Sequence, residues 1–215
     1  KSAPEAQALQ WQVGVWDRIS PLYRREIDPR FAPVIGGVIR RAGLTPGERV
    51  LDLGTGTGSL AIEAATLVGA AGSVTGVDIS PQMLSLAKGR VAESGRTNIE
   101  LREGRAEEIP AADAAFDVVL ASLSLMYVID RAAAARELRR VLRPGGRVVG
   151  AVWAGAERCD IVLFQQTAGK FAPPPPVAGV GPGALADPEP FVAQLERAGI
   201  DAHVETEELG FDSMI

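Results

Sequence analysis

An open, doubly wound α/β sheet, mostly parallel and preceded by N-terminal helices, is the fold class this sequence predicts. Three observations point to it. Short apolar runs alternate with amphipathic helical stretches across residues 49–152, the pattern of strands covered on both faces by crossover helices. A cluster of glycines sits between the first such run and the helix that follows it. The chain has 215 residues, which suits one domain, since domains average roughly 150 residues.

Trp11, Val15 and Ile19 recur at i, i+4 and i+8, and Phe31, Val34, Ile35, Val38, Ile39 and Ala42 carry a second helical stripe. The pairs Ser20-Pro21 and Asp28-Pro29 read as breaks between these helices. The first strand runs from Arg49 to Leu53, and after the glycine turn Leu60, Ala64, Leu67 and Val68 share one helical face. The cycle repeats with a strand from Ser73 to Asp78. Ser80 then caps a helix that opens at Pro81 and turns Leu84, Ala87 and Val91 inward. Asn98 to Arg102 is a third strand, and Phe116 to Ala121 is a fourth, apolar enough for burial on both faces. Arg131 to Leu142 is a helix with Ala134, Leu138, Val141 and Leu142 inward, ended by Arg143-Pro144-Gly145-Gly146, and Arg147 to Val152 is the fifth strand. Beyond Trp153 the alternation stops. Ala172 to Gly183 holds too much proline and glycine for a helix or a central strand and reads as a semi-rigid connector. Asp187-Pro188-Glu189-Pro190 starts a helix with Phe191, Leu195 and Ala198 inward and Gly199 at its end, and Ala202 to Leu209 reads as a further strand.

Composition narrows the function. Apolar residues make up 47% of the chain and charged residues 23%, enough for a sizeable core and against disorder. The balance of 22 Lys+Arg against 27 Asp+Glu gives a net charge of −5, which offers no general attraction to a phosphate backbone or an anionic membrane. The single cysteine, Cys159, and the single histidine, His203, cannot build a Cys₂His₂, His₃ or HExxH site, so no metal is expected. A Ser-His-Asp hydrolase would have to use His203 without a G-x-S-x-G elbow. No apolar run reaches the roughly 20 residues that span a bilayer, and neither a membrane span nor a secretory leader is expected. The cytoplasm is the expected compartment. The chain opens on Lys1 rather than methionine, as an excerpt of a longer product would.

Leu51-Asp52-Leu53-Gly54-Thr55-Gly56-Thr57-Gly58 joins a strand to a helix. Glycines there allow backbone amides to approach a ligand closely, and the helix N-terminus favours a negative group. A tight turn with no ligand would also want glycine. Asp78 ends the second strand, 24 positions after Gly54, where adjacent strand ends bring a carboxylate beside a ligand's ribose. Its alternative role, a cap on the following helix, is already filled by Ser80. Dinucleotide-binding turns place the third glycine five positions after the first, whereas Gly58 lies four after Gly54 and is preceded by an acidic Asp52. That carboxylate would repel a pyrophosphate but suits the ammonium of S-adenosylmethionine.

Taken in order, Leu51 to Gly58, Gly76-Val77-Asp78-Ile79-Ser80 with Met83-Leu84, Phe116-Asp117-Val118-Val119, and Val141-Leu142-Arg143-Pro144-Gly145-Gly146 resemble the class I S-adenosylmethionine-dependent methyltransferases. Within these, the chain is most similar to the group that contains the quinone C-methyltransferases and many small-molecule methyltransferases. The resemblance covers residues 10–153 and implies a Rossmann-like fold with a final antiparallel strand, which is not evident before Ile215. It implies that Gly54, Thr55, Gly56 and Gly58 lie under the amino acid end of the cofactor, that Asp78 holds the ribose, and that Ile79 and Met83 pack on the adenine. Gly104-Arg105-Ala106 stands where the family usually has Gly-Asp-Ala. Arginine has no acceptor for the adenine amine, so Glu107, a backbone carbonyl, or the Ala106 amide with packing takes over. Ala121 and Ser122 match positions that border the methionine moiety. Tyr23 matches an aromatic lid residue, with an ordinary core aromatic as its alternative.

The expected reaction is in-line methyl transfer to the carbon, oxygen or nitrogen of a small organic acceptor, for which alignment in a dry pocket is the main task. Candidates for a base are Tyr127, Asp130, Asp160 and His203. Their alternatives are a pocket wall, the N-cap of the helix at Arg131, a solvated surface carboxylate and a strand residue facing water. Trp153, Phe164 and Phe171 suggest an apolar roof over the acceptor. In this reading residues 1–45 are a helical lid, 46–153 the cofactor-binding core and 154–215 a substrate-side segment of one domain, acting as a monomer or homodimer. The rivals are an NAD(P)-dependent oxidoreductase and a methyltransferase-fold binding protein without turnover.

Overall fold

The computed structural model describes residues 3–171 and 175–210. Five strands, β1 (Arg49–Leu53), β2 (Ser73–Asp78), β3 (Ile99–Glu103), β4 (Phe116–Ser122) and β5 (Leu142–Ala151), form one parallel sheet in the order β3-β2-β1-β4-β5. Helices α1 (Ala3–Leu22) and α2 (Ala32–Ala42) precede it. Helices α3 (Ser59–Val68), α4 (Pro81–Ser94) and α5 (Arg131–Val141) make the crossovers, and α6 (Asp160–Gly169) and α7 (Glu189–Arg197) follow β5. The strand order reverses between β1 and β4, the place where sheets of this kind bind ligands at their carboxyl edge.

Successive residues of the central strands face opposite layers, as the two-residue period of a strand requires. Val50, Val118 and Leu120 pack with Ile35 and Val38 of α2 and Leu60, Ala64 and Val68 of α3. Leu51, Val119 and Ala121 pack on the other face with Ala134 and Leu138 of α5 and Phe191 and Leu195 of α7. Leu67, expected inward, is exposed.

Four features depart from the sequence reading. Pro21 does not end α1, which runs through it to Leu22 and continues as a π turn (Tyr23–Ile27) and a 3-10 turn (Asp28–Phe31). A proline leaves the carbonyl four residues earlier without its donor; here the Ser20 hydroxyl donates to that carbonyl, Asp17 O, at 3.0 Å. The inward face of α1 is also not the expected one. Trp11 is 45% exposed, while Ala8, Gln12 and Ser20 are buried. The segment Arg143 to Gly146 bulges out within β5, so that Phe116 pairs with Leu142 but Val118 with Arg147. Finally, residues 202–209 form no strand; Glu205 and Glu207 reach Arg40 and Arg41 of α2 instead. Of the proline-rich connector, residues 172–174 lie outside the described residues. Its later part is tied to the β4–α5 loop through Gly181 N to Met126 O at 2.9 Å and Arg131 Nη2 to Gly179 O at 2.6 Å.

Candidate active site

The turn after β1 folds back on the end of β2. The amides of Gly54 and Thr55 both donate to Val77 O, at 2.8 and 3.0 Å. Gly54, Gly56 and Gly58 have φ of +77°, +54° and +83°, a region that glycine enters without penalty. Beneath the turn Asp52 is only 1% exposed, and its Oδ2 accepts from Thr55 Oγ1 at 2.7 Å. Burial pushes its pKa up to about 7, against the opposing hydrogen bonds from Thr55 and the Ala61 amide, with the charge of Asp78 adding to the rise.

A cleft opens above this turn at the carboxyl ends of β1, β2 and β4. Of the expected cofactor residues, Tyr23, Gly54, Gly56, Asp78, Ile79, Met83, Arg105, Ala106 and Ser122 line it. Asp52, Thr55, Gly58 and Ala121 do not. Asp52 and Thr55 bond each other below the turn, Gly58 caps α3, and Ala121 is fully buried in the core. Asp52 faces the start of α3, where its carboxylate serves the Thr55 hydroxyl and the Ala61 amide.

Asp78 is the carboxylate at the rim. Its Oδ2 accepts from the Gly56 amide at 2.8 Å and its Oδ1 from the Ser80 amide at 2.9 Å. Burial raises its pKa, while the amides of Ser80, Gly56 and Ile79 pull it down and the charge of Asp17 pushes it up again. The helix cap is Ser80, whose Oγ accepts from Met83 N at 3.0 Å. At the other rim, Glu107 Oε1 accepts from the amides of Ile129 and Asp130 at 3.1 and 3.3 Å. Arg105 reaches Glu108 at 3.7 Å, and its Nε is buried without a hydrogen-bond partner among the described residues.

The roof comes from α1 and the turns after it, which supply Leu9, Gln12, Trp16 and Tyr23. Gln12 Nε2 donates to Tyr127 O at 2.9 Å. The sequence reading missed Gln12 and Trp16 because it sought the most apolar stripe of α1. Counting back from Tyr23 in helical steps, through Ser20, Trp16, Gln12 and Leu9, would have found the face. It also passed over Ser124, whose Oγ donates to Leu53 O at 2.7 Å, and the apolar wall of Leu125, Val128 and Ile129.

Of the four candidates for a base, only Tyr127 lines the cleft. Burial pushes its pKa up to about 12, so the phenol stays protonated at neutral pH and is no base. Tyr23 is raised further, first by burial and then by the charges of Asp28, Tyr127 and Asp78. Asp130 is the N-cap of α5, its Oδ1 accepting from Ala133 N at 2.9 Å. Asp160 and His203 are exposed and away from the cleft. The expected acceptor roof is also displaced: Phe164 and Phe171 are 71% and 89% exposed, and Trp153 packs edge-to-face on Phe31 at 5.3 Å. Helix α6 buries only Val162, which leaves Phe164 on its solvent side.

Among the described residues there is no group of three or more His, Cys, Asp or Glu side chains able to hold a metal ion, and no helix long and apolar enough to cross a membrane. A family model described as a methyltransferase domain matches residues 44–166. The chain is 40% identical over 114 residues to a ubiquinone/menaquinone biosynthesis C-methyltransferase of Geotalea daltonii, over 52% of this chain and 48% of the relative. It is 33% identical over 192 residues to an uncharacterised protein of Mycobacterium tuberculosis, over 88% of this chain and 64% of that one. The chain thus spans about half to two thirds of these relatives' lengths. In fold it resembles the crystal structure of an S-adenosylmethionine-dependent methyltransferase from Aquifex aeolicus, with a TM-score of 0.66, 24% identity, and coverage of 84% of this chain and 87% of that one.

Proposed function

The chain belongs to the methyltransferase-domain family, and from that premise we propose that it transfers a methyl group from S-adenosylmethionine to a small organic acceptor. S-adenosylmethionine is the methyl donor that this family and fold imply. The observation that carries the reading is Asp78, a carboxylate at the end of β2 that accepts from the Gly56 amide of the turn and lines one cleft with the apolar Ile79, Met83 and Val128.

The residues present fit that donor. The Asp78 carboxylate has about four acceptor positions, and the amides of Ser80, Gly56 and Ile79 leave capacity for a ribose hydroxyl. Ile79, Met83 and Val128 supply flat apolar surface for a purine. Arg105 Nε is a buried donor awaiting an acceptor, and Glu107 is a carboxylate at the same rim. Gly56, where a Cβ would meet nothing within 4 Å, leaves room at the turn for the amino acid end. When bound, S-adenosylmethionine supplies a methyl group already activated by a sulfonium leaving group. What remains for the chain is to align the reactants and exclude water. The roof of Trp16 and Tyr23 covers the cleft, and the two tyrosine hydroxyls, held protonated by burial, are available as donors and not as bases. An acceptor whose nucleophile needs no strong base, such as an electron-rich ring carbon or a neutral amine, suits this lining.

We read residues 1–45 as the lid, 46–153 as the cofactor-binding core and 154–215 as the substrate-side segment of one domain. With Phe164 and Phe171 turned to solvent, the acceptor's walls are Trp16, Tyr23 and Tyr127. Calorimetric titration with S-adenosylmethionine, S-adenosylhomocysteine and NADH tests the first step, and a methyl-transfer screen over quinols, phenols and amines tests the second. Saturable binding of the two adenosyl ligands and not of NADH is expected. Binding of NADH alone would move the chain to the oxidoreductases, and adenosyl binding without transfer to any acceptor class would favour a protein that has lost turnover.

A further inference from the structure

The chain has 11 aromatic residues, with three Trp, two Tyr and six Phe. Both tyrosines and two of the tryptophans join Phe31 in one edge-to-face series over the cleft. Trp153 meets Phe31 at 5.3 Å, Phe31 meets Tyr23 at 6.4 Å, Tyr23 meets Trp16 at 6.1 Å and Trp16 meets Tyr127 at 4.9 Å. Trp16 stands at 81° to Tyr23 and 86° to Tyr127, so both tyrosines meet it edge to face, and the three residues form one aromatic corner of the cleft lining. An apolar lid could be built from leucine; aromatic rings add negative faces that leucine lacks.

The rings are held in place by polar contacts outside the corner. Asp17, next to Trp16, accepts from Ser80 Oγ at 2.6 Å and from Gln82 N at 3.3 Å, and Gln12 holds the Tyr127 carbonyl. A pre-set aromatic corner attracts a weakly hydrated cation. The carboxylates of Asp78 and Glu107 on the cleft rim add to the negative potential. Tyr23 lines the same cleft as Asp78, the carboxylate assigned to the ribose of the proposed donor, whose sulfonium is one carbon away from that ribose.

We propose that Trp16, Tyr23 and Tyr127 form a cation-reading corner that recognises the sulfonium charge of the bound donor, so that the cleft prefers S-adenosylmethionine to its neutral product. The inference rests on the reading of the cleft as the donor site. In the transfer a bond forms between methyl carbon and nucleophile while the carbon–sulfur pair stays on sulfur. The sulfonium becomes a neutral thioether, the corner's attraction is lost, and product release is favoured.

Calorimetric titration of the chain with S-adenosylmethionine, S-adenosylhomocysteine and sinefungin, whose amine places a positive charge beside the sulfonium position, is the test. Both cations should bind more tightly than S-adenosylhomocysteine. Trp16→Leu and Tyr127→Leu should each weaken the two cations by roughly 3- to 30-fold, the span of a cation–π contact from exposed to desolvated, and change S-adenosylhomocysteine little. Retained binding of that neutral ligand also reports that the variant is folded, and Tyr127→Phe, which keeps the ring, should keep the preference. Equal weakening of all three ligands, or no preference for the cations in the unmodified chain, overturns the corner while leaving the donor site standing. Failure of the unmodified chain to bind any of the three overturns the donor site itself, and the corner with it.

Discussion

Alanine at position 54 should cost far more than a single added methyl group implies, and the structure says where the cost arises. Gly54 has φ of +77°, and holding an L-residue there costs about 1–2 kcal/mol. A Cβ at this position would lie 2.4 Å from Ser124 Cβ and 3.0 Å from its Oγ. Overpacking of that kind adds about 1–3 kcal/mol. Ser124 cannot withdraw freely, because its Oγ donates to Leu53 O at 2.7 Å, a bond worth about 1 kcal/mol. Gly54→Ala should therefore lose about 4 kcal/mol, on the order of 10 °C in melting temperature for a chain of this size. Ser124→Gly removes the opposing Cβ. In a double-mutant cycle followed by urea denaturation, the combined variant should be about 2 kcal/mol more stable than the sum of the single losses predicts. Ser124→Ala keeps the Cβ and should give little of that relief. Additivity within about 0.5 kcal/mol would refute the steric account and leave backbone strain alone to explain the glycine.

Asp78→Ala should weaken S-adenosylhomocysteine binding by about 1.5–3 kcal/mol, roughly 10- to 150-fold, the usual loss for hydrogen bonds to a charged group; an unchanged Kd in calorimetry would remove Asp78 from the ribose. Asp52 has a folded pKa of about 7 against 3.8 for the free group, so the folded state keeps a proton that the unfolded state releases. Its contribution is most favourable below about pH 4 and declines as the pH rises to about 7, by up to about 4 kcal/mol. Asp52→Asn should therefore flatten the fall in stability across this window, and parallel denaturant curves for the two proteins would count against a buried, protonated Asp52. Ser20→Ala strands the Asp17 carbonyl beside Pro21 and should cost about 1 kcal/mol, visible as a lower urea midpoint; no change would mean that water already serves that carbonyl.

The five strands could be read because each is a compact apolar run whose burial is decided locally, by the alternation of Val50 with Leu51 or of Val118 with Val119. Local chemistry also exposed the glycine turn and Asp78, since a positive φ and a carboxylate at a strand end are properties of a few adjacent residues. What the sequence concealed depends on distant partners. The continuation of α1 past Pro21 turns on one hydroxyl, Ser20 Oγ, reaching back to Asp17. Residues 202–209 alternate as a strand would, yet Glu205 and Glu207 find Arg40 and Arg41 rather than a sheet edge. Helix α6 carries Ile161, Val162, Leu163 and Phe164 in succession with only Val162 buried, so it has no apolar stripe to betray it. Phe164 and Phe171 suggest a roof by their type, but type does not say which way α6 and the turn after it face.

The lid is where these two kinds of information meet. Asp17 docks on the start of α4 through Ser80 Oγ and Gln82 N. Asp28 docks on the start of α3, accepting from Thr57 Oγ1 and Ser59 Oγ at 2.8 and 2.6 Å and pairing with Arg90. Carboxylates at helix N-termini are stabilised by the unpaired amides and the helix dipole there. The two helices so used are those that follow β1 and β2, and their first turns flank the cleft rim formed by Gly56 and Asp78. Trp16 and Tyr23 lie on the stretch of chain between or beside these two anchors, so their rings are fixed over the cleft by contacts that involve no ligand. Such a roof is largely pre-formed, and binding need not supply the free energy that orders it. The same anchoring ties the roof of the cleft to the starts of α3 and α4.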